Sequence, residues 1–135
     1  MSTKNTEIQQ LLDTHVNKIA GVRGAVVLSD EGNHMYWSAV DEGTAERRAP
    51  LASALGNLAN RYAAEESGGA VRRVLIEMGD GFVSVSRVGS LAYLALSISP
   101  TADLSTVGYE AGLLTKRLAH VLDASLRVPE DGGTA

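Results

Sequence analysis

Apolar positions alternate between two periods along this chain. Ile8, Leu11, Leu12, Val16 and Ile19 recur at helical spacing, which predicts an amphipathic helix over residues 6–19. Ala20 and Gly21 supply its stop. The run VRGAVVLS (22–29), rich in β-branched residues, reads as a strand, DEGN (30–33) as a turn, and HMYWSAV (34–40) as the return strand. Helical period resumes over 44–67. Pro50 fits poorly deep inside a helix, so either the regular helix begins near Arg48 or an earlier turn kinks there.

Three strands follow at 71–78, 82–88 and 91–98, joined by GDG and GS, which are short enough for antiparallel hairpins. LAYLALSI in the third is almost wholly apolar, the mark of a strand covered on both faces and hence central. The final helix, 103–126, buries Leu104, Val107, Ala111, Leu114, Leu118, Val121 and Leu122. Gly108 and Gly112 on it imply a close approach by the sheet or the first helix. The order α-β-β-α-β-β-β-α predicts an α+β sandwich: a five-stranded, mainly antiparallel sheet with helices on both faces. One domain over 1–126 and a flexible tail over 127–135 complete the expectation.

Composition narrows the function. The 135 residues carry a net charge of −4, no Cys and 4% aromatics. Disulfide and thiolate chemistry are thereby excluded. Scattered basic residues leave no stripe for nucleic acid, and few rings are available to stack on bases. No apolar run is long enough to span a membrane. MSTKNTEIQQLL lacks an apolar core, so no signal peptide is expected and a cytoplasmic location is.

Candidate chemistry is sparse. Gly21 and Gly24 lead into a strand, which fits neither a phosphate-binding loop nor a dinucleotide fingerprint. They read instead as a helix stop and a tight strand entry. His15, His34 and His120 lie on three elements with no metal-ligand spacing, and His15 reads as a partly buried structural imidazole. Asp30 and Glu31 sit at a hairpin tip, where water solvates carboxylates, and Asp80 reads as a turn residue. No Ser occupies a nucleophile elbow.

The 44–67 helix stands out. Ala45, Ala49, Ala52, Gly56, Ala59 and Ala63 form one stripe, and Leu51, Leu55, Leu58 and Tyr62 form a second, displaced by roughly 110°. Either the leucines dock on the sheet while the small residues admit a second backbone, or both stripes face one broad sheet.

GVRGAVVLSDEG, the Ala/Leu helix, VRRVLIEMGDGFVSVSRVGSLAYLAL and ADLSTVGYEAGLLTKRL, in this order, resemble the roadblock family. These are dynein-light-chain-like proteins related to bacterial regulators of Ras-like GTPases. The likeness covers about residues 8–126 and is greatest to small roadblock proteins of actinobacterial operons that also encode a sensor-kinase-like protein and a small GTPase.

The resemblance implies a profilin-like sandwich that pairs as a homodimer, with middle helices antiparallel and sheets joined edge to edge. Ala52, Gly56, Ala59 and Ala63 would then lie near the dimer axis, and 71–78 would be the joining strand, with Val71, Arg73 and Leu75 in the interface. It implies no enzymatic activity and no cofactor. It implies contact with a small Ras-like GTPase, and a sensor-kinase-like protein as a further partner. The candidate contact residues are Glu46, Arg47, Ser53, Asn57, Asn60 and Arg61. An arginine finger would have to come from Arg47, Arg48 or Arg61, although arginines on helix surfaces are usually just solvated. The alternative function is a sensory small-ligand-binding module, which needs a cavity with convergent polar groups.

Overall fold

The structure is a computed structural model that describes the backbone of residues 3–133 and the side chains of residues 3–123. Its elements follow the expected order: α1 (Thr3–Lys18), β1 (Val22–Ser29), β2 (His34–Ser38), α2 (Glu42–Glu65), β3 (Arg73–Met78), β4 (Gly81–Val88), β5 (Ala92–Ile98) and α3 (Leu104–Gly133). The strands form one sheet in the order β2-β1-β5-β4-β3, and every neighbouring pair is antiparallel.

Two apolar layers flank the sheet. On one face α1 and α3 pack Ile8, Leu12, Val16, Leu114 and Leu118 against Val27, Leu94 and Leu96. On the other, α2 packs Ala45, Ala49 and Ala52 against Val26, Leu28, Val85 and Tyr93. Strand β5 lies centrally between β1 and β4. Its alternate side chains enter both layers, which explains an apolar run without alternation.

Pro50 does not delay α2. The helix starts at Glu42, where the Asp41 carboxylate accepts the Thr44 N–H at 2.7 Å. Pro50 thus lies inside the helix, and the i→i−4 bond it cannot make belongs to the Glu46 carbonyl. Both residues are exposed, so that carbonyl lies on the watered side. Strand β2 stops at Ser38 because Ala39 turns to φ 62 and redirects the chain toward this cap. Strand β3 begins at Arg73, two residues later than expected, so Val71 precedes the edge strand.

Gly21 adopts φ 92 at the α1–β1 turn, as its role as a helix stop requires. Gly108 is approached by the Arg73 guanidinium from the sheet edge, whereas nothing lies within 4 Å of a Cβ placed at Gly112. The backbone of α3 continues to Gly133, past the end expected at Leu126. Side chains of the tail, 127–135, lie outside the described residues.

Candidate functional site

The sandwich leaves one helix face and one strand edge open side by side. Leu51, Leu58 and Tyr62 on α2 are 66%, 64% and 68% exposed. Neither arrangement expected of the two stripes is the one observed. The Ala/Gly line is the one that docks on the chain's own sheet, and the leucine line faces outward. Gly56 is the reason. A Cβ there would lie 2.5 Å from Cε1 of Tyr93, so only glycine lets the helix settle on that ring. Small residues bring the helix axis close to the sheet, and leucines on that face would hold it away.

Beside the leucines runs a groove of about 510 Å³. Leu51 and Leu55 form one wall, Ile76 and Met78 the other, and Val26, Val83 and Ala95 the floor. Its polar end holds Arg23, Arg48 and Ser97. Arg48 Nη1 donates to Ser97 Oγ at 3.0 Å, and Arg23 Nη2 donates to the Asp80 carbonyl at 2.8 Å.

Strand β3 closes this side as an edge strand, with a neighbour on one side only. Leu75 is 49% exposed on it, with exposed Arg73 and Glu77 on the same face of the strand. The opposite edge, β2, is covered by α1. Gln9 Nε2 donates to the Trp37 carbonyl at 2.8 Å, and the Tyr36 hydroxyl donates to Asn5 Oδ1 at 2.7 Å. Open edges invite pairing, and the covered one is shielded against it.

A polar clamp ties α2 to the sheet ends. The Arg87 guanidinium engages both carboxylate oxygens of Asp30, reaches the Ser90 carbonyl and lies 4.7 Å over the Tyr93 ring. The hydrogen bond that Arg87 donates to the Asp30 carboxylate is the main cause that raises the Arg87 pKa above its ordinary value. The Tyr93 hydroxyl donates to Asn57 Oδ1 at 2.7 Å, and Asn60 Nδ2 donates to that hydroxyl at 3.4 Å. Ser53 donates to the Asp30 carbonyl at 2.5 Å. Asp30 is therefore not a freely solvated turn carboxylate, as its position at the hairpin tip suggests, but one half of an ion pair that bridges two hairpins.

The structure places the residues expected at an interface as follows. Ala52 and Gly56 are buried against the sheet, Ala59 and Ala63 are half-buried, and Val71 lies ahead of the edge strand. Arg73 and Leu75 do stand on the open edge. Among the expected contact residues, Ser53 is buried and committed to Asp30. Asn57 and Asn60 are exposed and braced by Tyr93, while Glu46, Arg47 and Arg61 are exposed. His15 is buried between α1 and α3, with Nδ1 against the Leu11 carbonyl at 3.1 Å and Nε2 against Arg117 Nη1 at 2.9 Å. That is the structural imidazole expected of it. Among the described residues, no cluster of His, Cys, Asp or Glu is placed to hold a metal, and no helix is long and apolar enough to cross a membrane.

Comparison with known proteins agrees with this architecture. The family model of the Roadblock/LC7 domain matches residues 8–97. A crystal structure of a Roadblock/LC7 domain from Streptomyces avermitilis is 30% identical, with TM-score 0.81 over 84% of this chain and 96% of that one. The gliding protein MglB from Thermus thermophilus shares 15% identity and the fold, with TM-score 0.82 over 92% and 94% of the two chains. Profilin IA of Acanthamoeba castellanii, 20% identical, has TM-score 0.57 over 83% and 96%. No match was found among the curated proteins.

Proposed function

Because the chain belongs to the Roadblock/LC7 domain family, we propose that it is a non-enzymatic, homodimeric regulator or scaffold that binds a small Ras-like GTPase in the cytoplasm. The observation that carries this reading is the exposed leucine face of α2 beside the open edge of β3. Large apolar side chains two-thirds exposed in one row mark an interaction surface. The spacing of Leu51, Leu55, Leu58 and Tyr62 is 4, 3, 4, which reads the same from either end. An antiparallel twin therefore matches Leu51 to Tyr62 and Leu55 to Leu58 without offset. In the same movement two β3 edges satisfy each other.

Dimerisation leaves the back of α2 free. Glu46, Asn57 and Arg61 remain there, doubled by the two-fold axis, as a platform for the GTPase and for a sensor-kinase-like protein. The Asp30–Arg87–Tyr93 clamp keeps this platform rigid, so a partner meets a preorganised surface. Capture of purified small GTPases, loaded with GDP or a GTP analogue, on the immobilised chain tests the reading. Retention of one nucleotide form is the expected result, and retention of neither would sink it.

The groove sustains one other reading. At about 510 Å³, with Arg23, Arg48 and Ser97 at one end, it has the size and the convergent polar groups of a ligand site. A sensory module would show stabilisation of the isolated chain by an anionic metabolite in a thermal-shift screen. The dimer reading is favoured because Leu51 and Leu55, which wall the groove, belong to the same exposed stripe.

A further inference from the structure

Beyond the dimer itself, and resting on it, we infer that two copies are locked into a single register by four inter-chain ion pairs: Arg48 with Glu65 of the partner subunit, and Arg73 with Glu77 of the partner subunit, each formed twice.

The helix supplies the first pair. The leucine stripe continues past both ends into Arg48 and Glu65, both exposed. Arg48, Leu51, Leu55, Leu58, Tyr62 and Glu65 are spaced 3, 4, 3, 4, 3, which is a heptad seam confined to an arc of about 100°. Its two ends carry opposite charge. Antiparallel pairing about a two-fold axis between Leu55 and Leu58 sets Arg48 against the partner's Glu65 at each end. A slide of one heptad sets either Arg48 against the partner's Leu58 or Glu65 against the partner's Leu55. Both leave a charge on an apolar side chain. Arg48 spends one N–H on Ser97 Oγ and keeps others for a carboxylate.

The strand repeats the logic. A two-fold axis that keeps both α2 helices on one side of the joined sheet requires directly opposed residues to share a face. The axis therefore passes through a residue, not between two. Centred on Leu75, it sets Leu75 against its own copy, Val74 against the partner's Ile76, and Arg73 against the partner's Glu77. Centred on Val74 or Ile76, it sets Arg73 or Glu77 against the partner's Leu75. Within the strand itself, only the Leu75 centre pairs opposite charges. Among the described residues, Arg73 hydrogen-bonds to the Gly108 carbonyl alone, at 3.4 Å, through one of its five N–H donors. Leu55 and Ile76 line the same groove, so the two palindromes converge on one region.

The chain contains no Cys, so single-cysteine variants report position cleanly. Under mild oxidation Leu75→Cys is expected to form a covalent dimer. Val74→Cys or Ile76→Cys alone is expected to stay largely uncoupled, and a mixture of the two to couple. Glu65→Arg is expected to raise the dimer dissociation constant about tenfold or more through like-charge contacts, and Arg48→Glu/Glu65→Arg to restore it. Circular dichroism confirms that each variant folds. Coupling strongest at position 74 or 76, or no rescue by the double variant, overturns this register while leaving the dimer standing. A wild-type chain that sediments at 14.2 kDa overturns the dimer and the register together.

Discussion

Tyr93 fills the space that a side chain at Gly56 would need: its Cε1 lies 2.5 Å from the ideal Cβ position. The contact sets how close α2 comes to the sheet, and through it which face of that helix is left outside. Gly56→Ala gains ~1 kcal/mol of helix propensity, yet overpacks Tyr93 at a cost of about 1–3 kcal/mol. A net loss of stability in urea denaturation is expected, with the solution mass unchanged. A variant at least as stable as wild type would mean that the ring yields freely.

Leu58 has the opposite status. It is 64% exposed and makes no core. Leu58→Glu should therefore leave the circular dichroism spectrum of the folded chain intact and convert a dimer to a monomer in light scattering. Surface substitutions typically cost within about 0.5 kcal/mol of intrinsic stability. An unchanged mass would remove the leucine face from the interface.

Arg87→Ala should loosen the clamp. It removes the bidentate partner of Asp30 and the cation over Tyr93. Both members of the pair are about 30% exposed, which limits the loss to about 1 kcal/mol by chemical denaturation. Asn57 and Asn60 should broaden in side-chain NMR signals as Tyr93 loses its brace.

The acid limb of stability should carry a signature of the α2 cap. The Thr44 backbone N–H, then its side chain, hold the Asp41 carboxyl below its ordinary 3.8. A depressed folded-state pKa contributes stability that is fully present above the unfolded value and is lost as pH falls through the folded one. Asp41→Ala is thus expected to lower the thermal midpoint at neutral pH. Its deficit should shrink as pH drops below 3.8. A pH-independent deficit would mean that the carboxylate charge plays no part.

Arg61→Glu and Glu46→Arg lie on the back of α2, away from the leucine seam. Each should reduce GTPase capture severalfold and leave the dimer mass unaltered. Unchanged capture in both variants would move the partner platform elsewhere, and loss of the dimer would place these residues in the seam.

Much of the architecture was legible in the chain itself. Apolar spacing of 3.6 marks α1, α2 and α3. The short GDG and GS connectors marked the hairpins, and the unbroken run in LAYLALSI marked β5 as the centre of the sheet. These signals are local, because burial of one face writes its period into neighbouring residues. What the sequence could not rank were the two stripes of α2. Both are apolar, both have helical period, and periodicity carries no information on which one meets the sheet. That was decided by Tyr93, thirty-odd positions away, whose ring admits only Gly56 and so turns the small residues inward and the leucines to solvent. Likewise Asp30 became half of an ion pair only because the fold brings Arg87 to it across 57 positions. Local patterning determined the elements. Tertiary contact, which depends on shape and charge meeting in space, determined which surface was left for a partner.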